Sequence, residues 1–399
     1  MKHRLPAIII GGGIGGPAAG LFLRHAGIES RIFEAYPEPT AAGGGFQIAP
    51  NGMRVLNHLG LADAVQRAGV IANDFVFRNQ RGAVIGQIDV SGAGYGVTIR
   101  RSRFQKILLD ELACTGVPIH YGRRLCGIEQ DERSVVAHFE DGSCERGELL
   151  LGIDGVHSRT RSLILPDHRL ARYTGFLGIG GFAGVENLTS PDPEDAHRLS
   201  FSVGSRFQFG YAMVSVAPPR WGWWTHLPQE PELPRAELQA MGDDRMRTRV
   251  LAAFEGWHEP IGALVSSTRE IMRTAIYDVP SLPTWRAGRV MLLGDAAHAM
   301  SPAGGQGASL ALEDAMIVGR LLAEQRSPEE AFVKAESVLR ARAERIVRQA
   351  AENDRRQVKV LGPLGQWIRD RMFPLAAPLI ARELRRQYRE LKDVSARAA

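Results

Sequence analysis

The clearest chemical capacity of this chain lies in residues 291–315, which combine a carboxylate, a loop rich in proline and glycine, and a helix start. Asp295 follows an apolar strand-like run at 290–293, and the loop after it contains Pro302 and ends at the Gly-Gln-Gly sequence 305–307. A carboxylate fixed after a strand can bind a chain of hydroxyl groups. The unpaired N–H groups of a helix start favour a negative group, because they carry about half a positive charge. The segment therefore predicts a site for a ligand with both features.

A second glycine-rich turn lies near the N-terminus. Residues 7–10 indicate a short buried strand, residues 11–16 spell GxGxxG, and residues 17–26 have helical apolar spacing. The next strand, 31–33, ends at Glu34, and seventeen residues separate that carboxylate from the last glycine of the turn. This register predicts a dinucleotide site whose carboxylate lies over the adenosine ribose. The residues that we expect there are Gly11, Gly13, Ile14, Gly15, Gly16, Glu34 and Ala35.

The middle of the chain must supply the elements that complete these sites. Residues 75–90 indicate a strand pair, after which a strand at 97–101 and a helix at 102–113 return to the nucleotide fold. From residue 173 to residue 278 the apolar residues alternate, which is typical of a mostly antiparallel sheet, and one helix is expected at 235–254.

The alternating segment carries an aromatic face. Its members are Phe207, Phe209, Tyr211, Trp221 and Trp223. We expect this face to form a roof over a substrate, although each single aromatic residue is more often part of a sheet's own core. A GxGxxA match at 178–183 has no helix or acid after it, so it indicates a glycine-rich strand.

Charge and composition narrow the function classes. The chain has 49 Lys and Arg against 44 Asp and Glu, a net charge of +5, and residues 340–399 hold fifteen basic against seven acidic residues. The pairs Glu344/Arg348 and Glu352/Arg356 are four residues apart, which predicts a solvated, salt-bridged helix. Aromatic residues do not interleave the basic ones, so no nucleic-acid role is predicted.

Cysteine and hydropathy patterns favour a cytoplasmic protein. The three cysteines show no CxxC spacing and the histidines no HxxxH pair, so neither a disulfide framework nor a metal site is expected. The first apolar run stops at Gly11, before a signal peptide would be complete, and no span reaches transmembrane length. We therefore expect no stable membrane insertion.

Three motifs in order carry a family resemblance. GxGxxG with Glu34, the DGxxSxxR match at 154–161, and the string GDAAH, Pro302, GQG and EDA within 294–315 together span about three quarters of the chain. They resemble the single-component FAD-dependent aromatic hydroxylases. That family contains the p-hydroxybenzoate, salicylate, 6-hydroxynicotinate and urate hydroxylases and the tetracycline-inactivating monooxygenases.

The resemblance implies further FAD contacts, some with open alternatives. Arg101 matches a guanidinium that contacts FAD, but Arg100 beside it is an alternative, and Leu125 is equally well a core leucine. Asp154 is linked to FAD and nicotinamide binding, although an Asp can simply cap a helix. Ser309 stands where several relatives carry Asn. The implied contacts outside the first turn are Gly44, Gly45, Arg101, Leu125, Asp154, Gly155, Asp295, Pro302, Gly305, Gln306, Gly307, Ala308 and Ser309.

The resemblance also implies an activity. Non-covalent FAD is reduced by NADH or NADPH, reacts with O₂ to a C4a-hydroperoxyflavin, and transfers one oxygen to a small aromatic or polyketide-like molecule. The protein orients the flavin and excludes water, so no protein nucleophile is needed. His226 or Arg206 is a candidate to assist deprotonation of a phenol, and Pro302 is expected near the flavin carbon where oxygen adds. We expect a monomer or a homodimer.

The implied fold is α/β (α+β) and resembles p-hydroxybenzoate hydroxylase. It has a Rossmann-like FAD-binding domain, a substrate domain built on a mostly antiparallel sheet, and a C-terminal helical segment. The FAD-binding domain is expected at 1–72, 97–172 and 277–339. The substrate domain is expected at 73–96 and 173–276, and the C-terminal helical segment at 340–399.

Two other functions compete with this one. The sequence WGWW at 221–224 resembles the WxWxIP motif of flavin-dependent halogenases, but Thr225 and His226 occupy its Ile and Pro positions. A non-catalytic binder on the same scaffold, as in the GDP-dissociation inhibitors, is the second alternative. The intact GD and GQG motifs argue against it.

Overall fold

The structure is a computed structural model that describes residues 5–39, 43–168, 171–184, 193–358 and 360–397. The ends of the predicted domain ranges at 1–4 and 398–399 lie outside these residues. The described strands are β1 (Ala7–Ile10), β2 (Ser30–Phe33), β3 (Gly45–Ile48), β4 (Val70–Ile71), β5 (Asp74–Asn79), β6 (Val84–Asp89), β7 (Val97–Arg100), β8 (Ile119–His120), β9 (Leu125–Gln130), β10 (Val135–Phe139), β11 (Cys144–Gly147), β12 (Leu149–Gly152), β13 (Arg172–Gly184), β14 (Arg198–Val203), β15 (Gln208–Val216), β16 (Pro219–Pro228), β17 (Ile271–Asp278), β18 (Arg286–Ala287) and β19 (Val290–Leu292).

The helices alternate with these strands and then dominate the C-terminal third of the chain. They are α1 (Gly15–His25), α2 (Pro50–His58), α3 (Ala62–Ala68), α4 (Arg101–Thr115), α5 (Arg159–Ile164), α6 (Arg235–Ala240), α7 (Asp243–Ala253), α8 (Ile261–Ser267), α9 (Asp295–His298), α10 (Gly307–Glu324), α11 (Pro328–Val358) and α12 (Pro363–Arg397). Short 3-10 turns lie at Ser91–Ala93, Pro193–His197 and Pro302–Gly304.

A six-stranded sheet brings the three motifs to one edge. Its order is β18-β19-β12-β1-β2-β8, and every neighbouring pair except β18-β19 is parallel. β1 and β12 are buried along their whole length, as continuous apolar runs require in a parallel sheet covered on both faces. Ile10 pairs with Gly152 and Gly152 pairs with Leu292, so the turns after β1, β12 and β19 begin side by side.

A seven-stranded sheet forms the second large layer. Its order is β17-β13-β16-β15-β14-β5-β6, and its neighbouring strands are antiparallel except that β14 pairs parallel with β5. The strand pair from residues 74–89 thus joins strands that come more than a hundred residues later. The 178–183 segment lies within β13, as the sequence predicted, and forms no second nucleotide turn.

The aromatic face of this sheet lies against helices and not over the cofactor domain. α6, α7 and α8 cover it, and the residues buried in that cluster include Phe209, Tyr211, Trp221 and Trp223. The Trp223 indole donates a hydrogen bond to Thr268 Oγ1 at 2.7 Å. The expectation of an aromatic substrate roof is therefore wrong for this face. Alternation shows which residues share a face, but both faces of the sheet are covered and the pattern does not distinguish them.

Two local features complete the fold. Gly45, an implied FAD contact, begins β3, which pairs with β7 in a small sheet with β4. A Cβ on Gly45 would lie 2.9 Å from Val214, so the glycine allows the small sheet to approach the seven-stranded one. The single helix expected at 235–254 is interrupted, because Gly242 caps α7 in an extended conformation after α6 has ended.

The last two helices are joined to the core by a buried ion pair. Arg342 of α11 pairs with the fully buried Glu313 of α10, whose other oxygen accepts a hydrogen bond from Asn51 Nδ2 at 2.8 Å. Arg342 Nη2 also donates to the Gln387 carbonyl of α12 at 3.1 Å. No helix among the described residues has the length and hydropathy to cross a membrane.

A buried ion pair holds the 3-10 turn Pro193–His197 against β5. The Arg78 Nη2 atom lies 3.0 and 3.2 Å from the two oxygens of Asp195, and both side chains are buried. We predict that Asp195→Ala lowers the free energy of unfolding by about 3–5 kcal/mol, because it leaves a buried guanidinium without its carboxylate. Asp110→Ala, which breaks the exposed Lys106–Asp110 pair on α4, is the control and should cost about 0.5 kcal/mol or less. Urea unfolding measures both, and equal effects would contradict the assignment.

Candidate functional site

The turn after β1 is shaped by close backbone approach. Gly11 N–H donates to the Phe33 carbonyl at 2.8 Å, and a Cβ on Gly16 would overlap the Gly11 carbonyl oxygen. Only glycine therefore lets α1 begin here. The Glu34 carboxylate accepts hydrogen bonds from Gly12 N–H at 2.6 Å and Tyr36 N–H at 2.9 Å. The predicted acid thus lies directly beside the turn, where its orientation is fixed by two backbone amides.

Arg101 lies beside the same turn, and Arg100 does not. A Cβ on Gly13 would lie 3.5 Å from Arg101 Nη2, and one on Gly43 would lie 2.8 Å from Arg101 Cδ. The Arg100 guanidinium instead lies 4.5 Å from the centre of the Phe182 ring on β13. Of the two arginines, the geometry therefore favours Arg101 as the one that faces a ligand at the first turn.

The DG motif forms a self-contained turn after β12. Asp154 Oδ1 accepts from Ser158 Oγ at 2.5 Å, and Oδ2 accepts from Thr160 N–H at 2.9 Å. Ser158, not Asp154, is the N-cap of α5, with its Oγ 2.9 Å from Arg161 N. Burial raises the pKa of the Asp154 carboxyl, against the opposing effect of these hydrogen bonds.

Arg161 joins the DG turn to the GD turn. Its buried guanidinium donates to the Ala296 carbonyl at 2.8 Å and to the Val156 carbonyl at 2.6 Å. Arg161, the last residue of the DGxxSxxR match, therefore fixes the two turns relative to each other. Desolvation lowers the pKa of Arg161, and the Asp154 carboxylate acts in the opposite direction.

A buried carboxylate on α10 holds the GD turn. Asp314 Oδ2 accepts from Gly294 N–H at 2.8 Å and lies 2.7 Å from His298 Nε2. Burial alone would lower the pKa of His298, but the carboxylates of Asp314 and Asp295 raise it above its ordinary value. Asp314 and His298 were part of the predicted motif without an assigned role. Two adjacent acids, Glu313 and Asp314, within an otherwise apolar helix were the sequence signal that could have indicated a structural role.

Asp295 lies at the bottom of a cleft. Its side chain reaches solvent, yet surrounding protein desolvates it and raises the pKa of its carboxyl, while His298 and Arg101 act in the opposite direction. The predicted placement of Asp295 just after the strand is correct, because β19 ends at Leu292 and α9 begins at Asp295.

The Gly-Gln-Gly turn begins α10, with Gln306 as the N-cap. The Gln306 Nε2 atom donates to Gln387 Oε1 at 3.2 Å, and the Gln387 amide donates in turn to Gln349 Oε1 at 3.0 Å. No sequence pattern indicated that α12 reaches this turn. Ser309 is fully buried and accepts a hydrogen bond from Ala49 N–H at 3.1 Å, so its hydroxyl joins α10 to the start of α2.

The cleft bordered by these turns has the features that FAD requires. A Cβ on Gly155 or Gly305 would meet no atom within 4 Å, and one on Gly307 would meet only Asp295 Oδ1, at 3.8 Å. Bare backbone therefore faces the open side of the DG turn and of the Gly-Gln-Gly turn, which allows a flat ring to approach closely. A carboxylate suits hydroxyl groups, whereas a guanidinium and helix starts suit a pyrophosphate. The residues present fit FAD.

The glycine-rich face of the seven-stranded sheet lies opposite these turns. Trp224 and His226 are on that face of β16, and Met272 Cε of β17 lies 4.0 Å from the position of a Cβ on Gly44. A Cβ on Gly210 would overlap the Trp224 ring, so the ring lies flat along the sheet. Burial lowers the pKa of His226 to about 4. His226 is therefore a neutral proton acceptor at pH 7.

The remaining predicted residues are placed as follows. Arg206 is exposed in the turn of the β14–β15 hairpin. The backbone of this turn contacts residues near the start of α12. No described contact joins Arg206 to the cofactor turns. Pro302 is exposed and begins a 3-10 turn. The Leu125 side chain is buried among Phe33 and Phe139, which supports its reading as a core leucine. Ile14, Ala35 and Ala308 are half-buried next to the turns to which they were assigned.

The halogenase-like sequence does not lie at the cofactor turns. Trp221 and Trp223 of the halogenase-like sequence are buried beneath α6–α8. The described ranges contain no cluster of three or more His, Cys, Asp or Glu side chains placed to hold a metal ion.

Comparison with known proteins identifies relatives of this fold and site. A family profile described as FAD binding domain matches residues 4–350. The chain is 29% identical over 365 residues to 6-hydroxynicotinate 3-monooxygenase of Pseudomonas fluorescens, covering 86% of this chain and 90% of the relative. It is 33% identical over 351 residues to 3-amino-4-hydroxybenzoate 2-monooxygenase of Streptomyces cremeus, covering 86% and 85%. The structure of Klebsiella pneumoniae HpxO complexed with FAD and uric acid has a TM-score of 0.80 and 25% identity, and covers 96% of this chain and 94% of that chain.

We predict that Gly307→Val weakens FAD binding without destabilising the protein itself. Protein atoms leave room for the new side chain, so it would collide with the cofactor and not with the fold. Strain of about 1–3 kcal/mol corresponds to a roughly five- to hundredfold lower affinity. Flavin titration measures the affinity and thermal unfolding of the apoprotein measures the fold. Gly262→Val, at an equally open glycine in α8, is the control, and unchanged flavin affinity in Gly307→Val would place the flavin elsewhere.

We predict a distinctive pH dependence from His226. Its pKa is about 4 in the folded protein and about 6.5 in the unfolded chain, so between these values the unfolded chain binds more protons. Stability should therefore fall as the pH drops from 6.5 towards 4, by up to about 1.4 kcal/mol per pH unit relative to His226→Gln. Urea unfolding at pH 7, 6 and 5 measures this difference. His25→Gln, at an exposed histidine of α1, is the control, and parallel curves for wild type and His226→Gln would refute the assignment.

Proposed function

The chain belongs to the FAD binding domain family and is an FAD-dependent monooxygenase, and we propose that it uses NAD(P)H and O₂ to hydroxylate a small aromatic substrate in the cleft between its two large sheets. The observation that carries the proposal is the arrangement of two bare glycine turns, at Gly155 and at residues 305–307, opposite a sheet face that presents His226 and Trp224. One side of this cleft suits a flavin and the other suits a flat ring.

Each cofactor-facing residue has a separate role in this proposal. Glu34, held by the Gly12 and Tyr36 amides, binds the adenosine ribose, and Arg101 neutralises the pyrophosphate. Asp295 binds hydroxyl groups of the ribityl chain. The start of α10 at Gly307 directs its N–H groups to the flavin ring, where a negative charge develops on reduction.

Bound FAD supplies the redox chemistry, taking a hydride from NAD(P)H and activating O₂ for transfer of one oxygen atom to the ring. The protein's part is to orient the substrate, exclude water and hold a proton. The Trp224 ring offers a flat surface for an aromatic substrate, since stacked aromatic pairs are favourable by about 0.5–1.5 kcal/mol beyond burial.

His226 is the proposed general base. A phenolate donates electrons to an attacking oxygen better than the phenol does, so removal of the hydroxyl proton assists the transfer. Burial keeps the His226 imidazole neutral near pH 7, so a ring nitrogen can accept a hydrogen bond from that hydroxyl group. The low pKa of the imidazole limits its part to partial removal of the proton in the transition state. Arg206 is not part of the proposal, because it lies in an exposed turn away from the cofactor segments.

The substrate class follows from the site and from the relatives. The relatives act on 6-hydroxynicotinate and 3-amino-4-hydroxybenzoate, and the HpxO structure holds uric acid. Each of these is a small ring with ionisable or electron-donating groups. We therefore propose a hydroxylated or amino-substituted aromatic or heteroaromatic ring as the substrate.

We predict that NADH or NADPH alone reduces the bound flavin, and that reduction is faster with an accepted substrate. Anaerobic stopped-flow absorbance with each nucleotide, with and without a panel of hydroxybenzoates, hydroxypyridines and purines, measures the rate. Free FAD mixed with each nucleotide is the control. If neither nucleotide reduces the enzyme with any panel member, the protein depends on another reductant and the proposed NAD(P)H step is wrong.

A further inference from the structure

The outer face of α12 is an apolar surface exposed to solvent. Its most exposed members are Leu364, Leu375 and Leu379, each 69% exposed, and Trp367, 58% exposed. Exposed neighbours on the same segment include Val360, Leu361, Ile368, Met372 and Ile380. Contiguous apolar surface of this kind is unusual on a monomer and indicates a contact site.

These exposed apolar residues form a stripe along α12, and the stripe is not the side by which α12 packs on the protein. The packed side carries Phe373, Ala377, Ala381 and Tyr388, which lie against β6 and the start of α2. Residues 364, 368, 372, 375 and 379 recur at intervals of three or four, so they share the opposite side of the helix. From 364 to 379 the stripe is about 22 Å long. The helix is therefore apolar on two sides, and only one of them is used within the fold.

The charges around the stripe are of one sign. Every exposed residue from Val360 to Arg389, a segment that the structure describes completely, is apolar, a proline, a glycine or an arginine. The exposed arginines are Arg371, Arg382, Arg386 and Arg389. The two acids of the segment, Asp370 and Glu383, are half-buried and bonded to the neighbouring Arg369 and Arg386. Arg371, Arg382 and Arg386 each follow one of the three exposed leucines by seven residues. The positive charges therefore lie on the same side of the helix as the apolar area, within it and beyond its C-terminal end.

These charges decide between the two occupants that could cover such a stripe. A second copy of this chain would bring another stripe with the same arginines and no exposed carboxylate within residues 360–389 to pair with them. An anionic phospholipid surface supplies both an apolar interior and phosphate groups, which long arginine side chains on a leucine- and tryptophan-rich side can reach at the boundary. Trp367, with the Arg371 guanidinium 5.4 Å from its ring centre, has the amphipathic character suited to headgroup depth.

We propose that the outer face of α12 docks the protein peripherally on anionic bilayers, with Leu364, Leu375 and Leu379 in the acyl boundary and the arginines at the lipid phosphates. The helix then lies in the plane of the membrane, and the rest of the chain stays outside it. This inference does not depend on the identity of the substrate or on the NAD(P)H step.

Vesicle flotation of the flavin-loaded protein tests the proposal. Vesicles of phosphatidylcholine with phosphatidylserine should bind the wild type, vesicles of phosphatidylcholine alone should bind it much less, and added salt should weaken binding. Arg371→Gln/Arg382→Gln should lower partitioning about thirtyfold, and Leu375→Ser/Leu379→Ser about a hundredfold. Val333→Ser, at an exposed valine of α11, is the matched control and should bind like the wild type.

Brominated lipids supply an independent readout. They should quench wild-type tryptophan fluorescence, and Trp367→Phe should abolish most of that quenching because the other tryptophans lie within the fold. Failure of the wild type to bind anionic vesicles overturns the proposal. So does a wild-type dimer, measured by light scattering, that Leu375→Ser/Leu379→Ser converts to a monomer while vesicle binding is absent, since the stripe would then be a self-association surface.

Discussion

The buried carboxylate of Asp314 is the contact on which the shape of the cofactor cleft depends. It accepts the Gly294 amide and pairs with His298, so one side chain on α10 holds both ends of the short helix that presents Asp295. The same helix α10 presents the Gly-Gln-Gly turn at its start. The Asp295 carboxylate and the N-terminal end of α10 are therefore fixed relative to one another. A buried ion pair is seldom a net source of stability, but removing one partner is costly, so this pair holds a single geometry.

The two sheets contribute opposite qualities to the site. The parallel sheet aligns the ends of β1, β12 and β19, and each turn there is stripped of side chains by glycine. The seven-stranded sheet carries glycines at 178, 180, 210 and 222 on the face turned to those turns, which leaves room for the Trp224 ring and for His226. Phe209, Tyr211, Trp221 and Trp223 fill the opposite side, where they pack against α6–α8. Rigid packing thus lies behind the site, and open space lies within it.

The motifs were predictable from sequence because each is local. A strand, a glycine turn and a helix follow one another within about twenty residues, and the acid of Glu34 falls at the spacing that one βαβ unit requires. The cover of the second sheet was not predictable, since a period of two separates two faces without saying what packs on each. Glycines inside strands marked the correct face, because a strand tolerates them where something else approaches closely. The contact of Gln306 with Gln387 joins residues far apart in the chain, and no local pattern signals it.

The packed side of α12 shields a sheet edge through which copies of this chain could aggregate. β6 is the last strand at one edge of the seven-stranded sheet, and Phe373 lies so close that a Cβ on Gly86 would come within 2.5 Å of its ring. Asp370 also accepts a hydrogen bond from Asn79, at the end of β5. An edge strand with free N–H and C=O groups is a template for pairing with another chain, and α12 shields this one. Because β14–β17 are all made before α12, the completed sheet carries an unshielded edge until the last part of the chain is synthesised. A substitution that prevents α12 from packing on β6 should therefore cause aggregation during folding.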